Sequence, residues 1–159
     1  MPWRLGNSKE NLFVNEDFRD MLSCLNAQKV EYLVVGAYAL AAHGVPRATG
    51  DIDIWIRPEK ANAERVFRAL AAFGAPLKGL KVDDFTEPGI SFQIGVAPRK
   101  IDIITSISGV SFSDALPARI VKKIDNIDIP FIGHDDFVKN KKAAGRPKDI
   151  SDIALLEEA

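Results

Sequence analysis

Hydrophobic positions recur at two periods along this chain, and the switches between them mark its elements. Residues 1–14 are polar and irregular, broken by Pro2 and Gly6. From Asn15, a residue suited to capping, Phe18, Met21, Leu22 and Leu25 recur at helical spacing, which predicts a helix over about 15–29. EYLVVG is a continuous apolar run that reads as a buried strand stopping at Gly36. AYALAAHG follows as a short alanine-rich helix, closed by Gly44 with Pro46 just beyond. DIDIWI predicts a strand over about 51–56, and Pro58 opens a helix over about 59–73. Val66, Phe67, Leu70 and Phe73 form the apolar stripe of that helix, and Gly74 ends it. Residues 75–89, rich in Gly, Pro and Asp, read as a loop with room for one short strand. ISFQIGV and KIDIITSI predict a hairpin, and ARIVKKI and IDIPFIG a second one around Asp125-Asn126. Helices are expected over His134–Ala144 and Lys148–Glu157. The pattern predicts a mixed α/β (α+β) fold in one domain spanning 1–159, with an N-terminal helix before a core of about 30–158.

DIDIWI carries the first chemical signal. Alternate strand residues share a face, so Asp51 and Asp53 project side by side while Ile52, Ile54 and Ile56 point the other way. Like charges at that distance repel, and burying either one unpaired is costly. A divalent cation would compensate both; on an exposed strand edge water would do so instead. Asp102 is a third acid in an apolar strand, and three acids on two strands suit magnesium or manganese. Asp102 could alternatively pair with Arg99 or Lys100.

Composition narrows the class. Hydrophobic residues make up 47% and charged residues 27% of 159 positions, the profile of a globular chain with a real core. The formal net charge of −1 offers no global field for nucleic acid. Basic residues nevertheless gather locally, with Lys139, Lys141, Lys142, Arg146 and Lys148 in one short stretch, a charge suited to polyphosphate. A single cysteine, Cys24, sits among helical apolar positions and reads as core packing in a reducing compartment. No stretch has the length of a membrane span and no secretory leader is visible, so the expected setting is cytoplasmic, without a membrane partner.

A strand that ends in Gly36, enters a helix and leads back to an acid-bearing strand can hold phosphate and metal together. A helix N-terminus offers unpaired N–H groups, and glycine allows close approach. Gly36-Ala37, then thirteen residues, then Asp51-Ile52-Asp53 and the later isolated Asp102 resemble the polymerase-β-type nucleotidyltransferase superfamily. GAYALAAHGVPRATGDIDIWI and NKKAAGRPKDISDIALLE resemble small bacterial nucleotidyltransferase-fold proteins related to abortive-infection and toxin–antitoxin transferases. The resemblance implies a nucleotidyltransferase fold and transfer of NMP from an NTP to an unidentified acceptor: RNA, protein or a small molecule. It implies Mg²⁺ or Mn²⁺ held by catalytic Asp51, Asp53 and Asp102 in a two-metal site. It implies phosphate-facing roles for Gly36, Ala37, Lys141 and Arg146, with Asp149 orienting one of the two cations. Arg47 and Thr49, which follow the short helix, could contact phosphate or base, or simply fix the turn.

One position departs from the family pattern. Gly-Ser or Gly-Gly is usual where this chain has Gly36-Ala37, so a phosphate-facing hydroxyl is lost. The alternative reading is therefore a non-catalytic module that binds nucleotide or a cognate protein, including one component of a toxin–antitoxin pair. Structural readings compete elsewhere too. Asp149 and Asp152 suit the positive end of a helix beginning at Pro147. His43 suits a helix C-terminus, and Trp55 reads more readily as core than as a base-stacking platform.

Overall fold

The computed structural model describes residues 15–46, 50–96 and 99–159. Asn15 caps the first helix, α1 (Glu16–Ala27), its Oδ1 accepting the Phe18 N–H at 2.9 Å. The continuous apolar run YLVV becomes β1 (Tyr32–Val35), buried at all four positions. It passes directly into α2 (Gly36–Ala42), then β2 (Ile52–Ile56) and α3 (Lys60–Phe73). The second half contains β3 (Ser91–Ile94), β4 (Ile101–Ile104), a short α4 (Phe112–Ala115), β5 (Ile120–Ile124) and β6 (Ile127–Phe131). Two C-terminal helices follow, α5 (His134–Ala144) and α6 (Pro147–Glu158).

Among the described residues the strands form one mixed sheet in the order β3-β4-β2-β1-β6-β5. The β2–β4 and β1–β6 pairs are parallel; the other neighbours are antiparallel. Central β2 pairs with β1 on one side and β4 on the other, and Ile54, Ile56, Leu33 and Ile103 are fully buried there. The predicted hairpins are both present. Asp125 and Asn126 adopt left-handed conformations (φ 51° and 65°), the geometry of a two-residue turn that matches strand twist.

Two segments differ from the sequence expectation. The loop over 75–89 carries a 3₁₀ turn at Val82–Thr86 and no strand. Asp84 takes the Lys81 N–H at 2.8 Å, Thr86 donates to the Asp83 carbonyl at 2.7 Å, and buried Phe85 anchors the turn. These side-chain bonds give the backbone a local alternative to a ladder. The other difference is α4, too short to show a periodic stripe; Ser111 caps it through the Asp114 N–H. Phe112 packs edge-on against Trp55 with ring centroids 5.1 Å apart, so Trp55 is a core residue.

Buried Asn62 ties α3 to the sheet. Its Oδ1 accepts the Glu31 N–H at 2.8 Å, and its Nδ2 donates to the Glu31 and Arg57 carbonyls at 3.0 Å each. The groups it satisfies lie just before β1 and just after β2, so one amide fixes the shared end of the two central strands. Asn62→Ala leaves these buried groups without their partner and should lower unfolding free energy by about 3 kcal/mol in urea titrations.

Candidate active site

The acids meet where the parallel β2–β4 pair runs beneath the start of α2. Asp53 and Asp102 are direct register partners, so their side chains emerge on the same face of adjacent strands. Gly36 closes the site from β1. It has φ +70°, and any Cβ there would collide with the Asp53 carboxylate, so both backbone and space require glycine. Burial, then a hydrogen bond and charge from Asp102, then the charge of Asp51, push the Asp53 carboxyl up to about 6; Lys148 pulls the other way. Asp102 Oδ1 is buried and has no hydrogen-bond partner among the described residues. Asp51 is drawn toward the strand beside it, its Oδ1 accepting the Lys100 N–H at 3.3 Å and its Oδ2 lying 3.9 Å from Lys100 Nζ. Lys100 thus serves Asp51, while Asp102 faces Asp53. As the side chains stand, no three carboxylate, imidazole or thiolate groups among the described residues are gathered closely enough to hold a metal ion together.

Opposite the acids, the α5–α6 junction carries an ion-pair network. Asp149 is fully buried and takes both a bidentate guanidinium fork and a backbone N–H from Arg146. Nε lies 2.7 Å from Oδ2, Nη2 3.1 Å from Oδ1, and the Arg146 N–H 3.1 Å from Oδ2. Lys141, only 6% exposed, places Nζ 3.3 Å from Asp149 and 3.3 Å from buried Asp152. The Arg146 side chain remains 64% exposed, so its fork is anchored from below while its other donors stay accessible. The Arg146 hydrogen bond, against the cost of burial, brings the Asp149 carboxyl down to about 2.

A cleft of about 540 Å³ separates the two groups. Gly36, Ala37, Asp51, Asp53, Lys141 and Arg146 line it, with Asp102 next to Asp53 and Asp149 behind the cations. Arg47 and Thr49 lie outside the described residues. Asp152, Asn140 and Ser108 also line the cleft and were not singled out as site residues by the sequence; Lys148 lines it too, named there only as part of the basic stretch suited to polyphosphate. Asp152 had a readable signal, since it follows Asp149 by one helical turn on the same face. Asn140 had none: its Nδ2 donates across to the Ser108 carbonyl at 2.9 Å, a contact visible only in three dimensions. His43 is placed away from the acids, its Nε2 2.7 Å from the Ile132 carbonyl.

The family described as "Nucleotidyltransferase of unknown function (DUF6036)" matches residues 12–157. No protein of curated function matches the sequence. Among solved structures, a Thermotoga maritima protein assigned as a nucleotidyltransferase is similar at 16% identity and a TM-score of 0.57, over 89% of this chain and 91% of that one. Lincosamide antibiotic adenylyltransferase LnuA, solved with lincomycin bound, is similar at 14% identity and 0.58, over 92% of this chain and 98% of that one. The antibiotic-resistance factor ANT(2'')-Ia gives 13% and 0.58, over 88% and 80%. Identities this low establish the shared fold.

The ionic network makes a pH prediction. A carboxyl whose pKa is depressed on folding stabilises the protein above its unfolded value, and that contribution is lost as pH falls through the folded value. For Asp149, brought down to about 2, the loss falls between about pH 4 and pH 2. A displacement of this size corresponds to about 2 kcal/mol. Asp149→Asn should cost at least about that much at pH 7, because Lys141 and Arg146 lose a shared partner. It should also flatten the acid limb of stability against pH, measured by urea unfolding from pH 7 to pH 2.

Proposed function

The chain belongs to the DUF6036 nucleotidyltransferase family, and from that membership we propose that the cleft transfers NMP from an NTP to a hydroxyl-bearing acceptor, with Mg²⁺ or Mn²⁺ held by Asp51, Asp53 and Asp102. The observation that carries this reading is the register pairing of Asp53 with Asp102 directly beneath Gly36. Two features fit a cation at this place: a buried Asp102 oxygen without a hydrogen-bond partner, and an Asp53 carboxyl driven toward its protonated form. Both are expected of carboxylates arranged around a charge that the chain does not itself supply. Bound divalent ions supply Lewis-acid activation of the attacking hydroxyl and neutralise charge on the departing pyrophosphate.

The chain's own residues do the rest. Gly36 keeps the entrance to α2 free of side-chain atoms, so phosphate oxygens can approach the first-turn N–H groups. Ala37 adds no hydroxyl, which leaves backbone donors as that wall's contribution. Across the cleft, Asp149 anchors Arg146 and Lys141 in the wall that faces the phosphates. Arg47 and Thr49 complete the proposed nucleotide contacts. In this proposal Asp102 helps accept the acceptor hydroxyl's proton. One structural neighbour is a lincosamide antibiotic adenylyltransferase by name and another an antibiotic-resistance factor, which supports a small-molecule hydroxyl as the acceptor to try first, before RNA and protein.

Ala37 favours one competing reading, a module that binds nucleotide or a cognate protein without turnover, including a toxin–antitoxin component. Labelled NTPs with pooled small molecules, RNA and protein separate the two. Label transfer that is lost in Asp53→Asn supports the enzyme, whereas tight NTP binding with no transfer to any acceptor supports the module. Mn²⁺ at a hundred times its dissociation constant should raise stability by about 2.7 kcal/mol in thermal unfolding. Asp51→Asn combined with Asp53→Asn should abolish that increment; an equal metal response in both proteins would overturn the metal assignment.

A further inference from the structure

We infer that Lys148 supplies the net positive charge that meets the nucleotide's phosphates, while Lys141 chiefly holds the cleft wall in shape. The inference rests on the nucleotide-site reading above and assigns a role within it. Among the described residues three cations line the cleft: Lys141, Arg146 and Lys148. Lys141 is buried between Asp149 and Asp152, and Arg146 is forked onto Asp149. Those two cations and two carboxylates cancel, so the network by itself presents an electrically balanced surface to a highly charged anion. The Lys148 side chain forms no ion pair or hydrogen bond among the described residues, and the residue is exposed on the cleft side of the junction. It is therefore the one lining cation there whose charge is not already matched by a salt bridge.

Its position in the fold makes the same point. Lys148 is the second residue of α6, a helix that begins at Pro147. A lysine in the first turn adds to the positive end of the helix dipole, where an acid would offset it. Local helix stability therefore disfavours the residue found there. Lys148 also acts across the cleft, lowering the Asp53 carboxyl against the stronger influences that raise it. A flexible ammonium with three donors, held at the rim between the acids and the ionic network, can follow a phosphate chain in a way that immobilised Lys141 cannot. An alternative role is a resident counter-ion for the acids, which makes the opposite prediction for metal binding.

Isothermal titration calorimetry of the folded chain with Mg²⁺-tripolyphosphate, each of the four Mg²⁺-NTPs and the matching nucleosides distinguishes these roles. Lys148→Ala should weaken tripolyphosphate and NTP binding by about tenfold to a hundredfold, leave nucleoside affinity unchanged and not lower the melting temperature. The loss should shrink at high salt, and Lys148→Arg should recover most of the affinity. Lys141→Met, by contrast, should lower the melting temperature. Unchanged tripolyphosphate affinity in Lys148→Ala, with Mn²⁺ binding tightened, would overturn the inference in favour of the counter-ion. Wild-type protein that is folded but binds none of these phosphates would overturn the nucleotide reading itself, and the inference with it.

Discussion

Carboxylates held side by side inside a sheet are an electrostatic debt, and the architecture around Asp53 and Asp102 is organised by it. Parallel pairing of β2 with β4 sets the two in register, and their partial burial limits the water that would otherwise screen the repulsion. Nothing in the strands relieves it. Relief has to come from groups brought over the sheet: Lys100 for Asp51, Lys148 at longer range for Asp53, and a bound cation in the proposed reaction. The glycine at position 36 follows from the same crowding, since the Asp53 carboxylate occupies the space a side chain would need.

The α5–α6 junction solves a different problem with similar residues. Here the charges are opposite and fully buried acids are satisfied by a fork, a backbone N–H and an ammonium. Such networks gain little over an apolar core, but they specify geometry. A cleft wall built this way is stiff. Its exposed Arg146 is presented at a fixed angle, because a bidentate fork allows little rotation. One side of the cleft is thus under repulsion and adaptable to a cation, and the other is neutral and rigid.

Much of this was legible in the chain because the relevant signals are local. Asp53 and Asp102 each sit within one apolar strand, with Asp51 and Gly36 at strand boundaries, and strand periodicity fixes which way the strand acids point. The helical stripe of α3 and the Asp125-Asn126 turn are legible for the same reason. What escaped was non-local or too short to be periodic. Asn62 looks like any polar helix residue until its amide is seen bridging Glu31 and Arg57. The four-residue α4 has no room for a repeat, and the turn at Val82–Thr86 is set by side-chain bonds from Asp84 and Thr86. In the site itself, sequence placed Lys141 and Lys148 in one basic stretch and gave the phosphate-facing role to Lys141 by resemblance. Burial separates them, leaving one locked between two acids and the other at the rim.

The cleft's spread along the chain has a kinetic consequence. Its lining runs from Val35 to Asp152, and its two walls come from segments about a hundred residues apart. Such long-range closure is entropically expensive, so the acid strands can pair with their neighbours well before the α5–α6 wall docks. During that interval Asp53 and Asp102 already face each other, but the opposite half of the cleft is missing. In a protein arranged in this way the binding site is complete only when segments about a hundred residues apart have come together, so competence needs more than the collapse of either half.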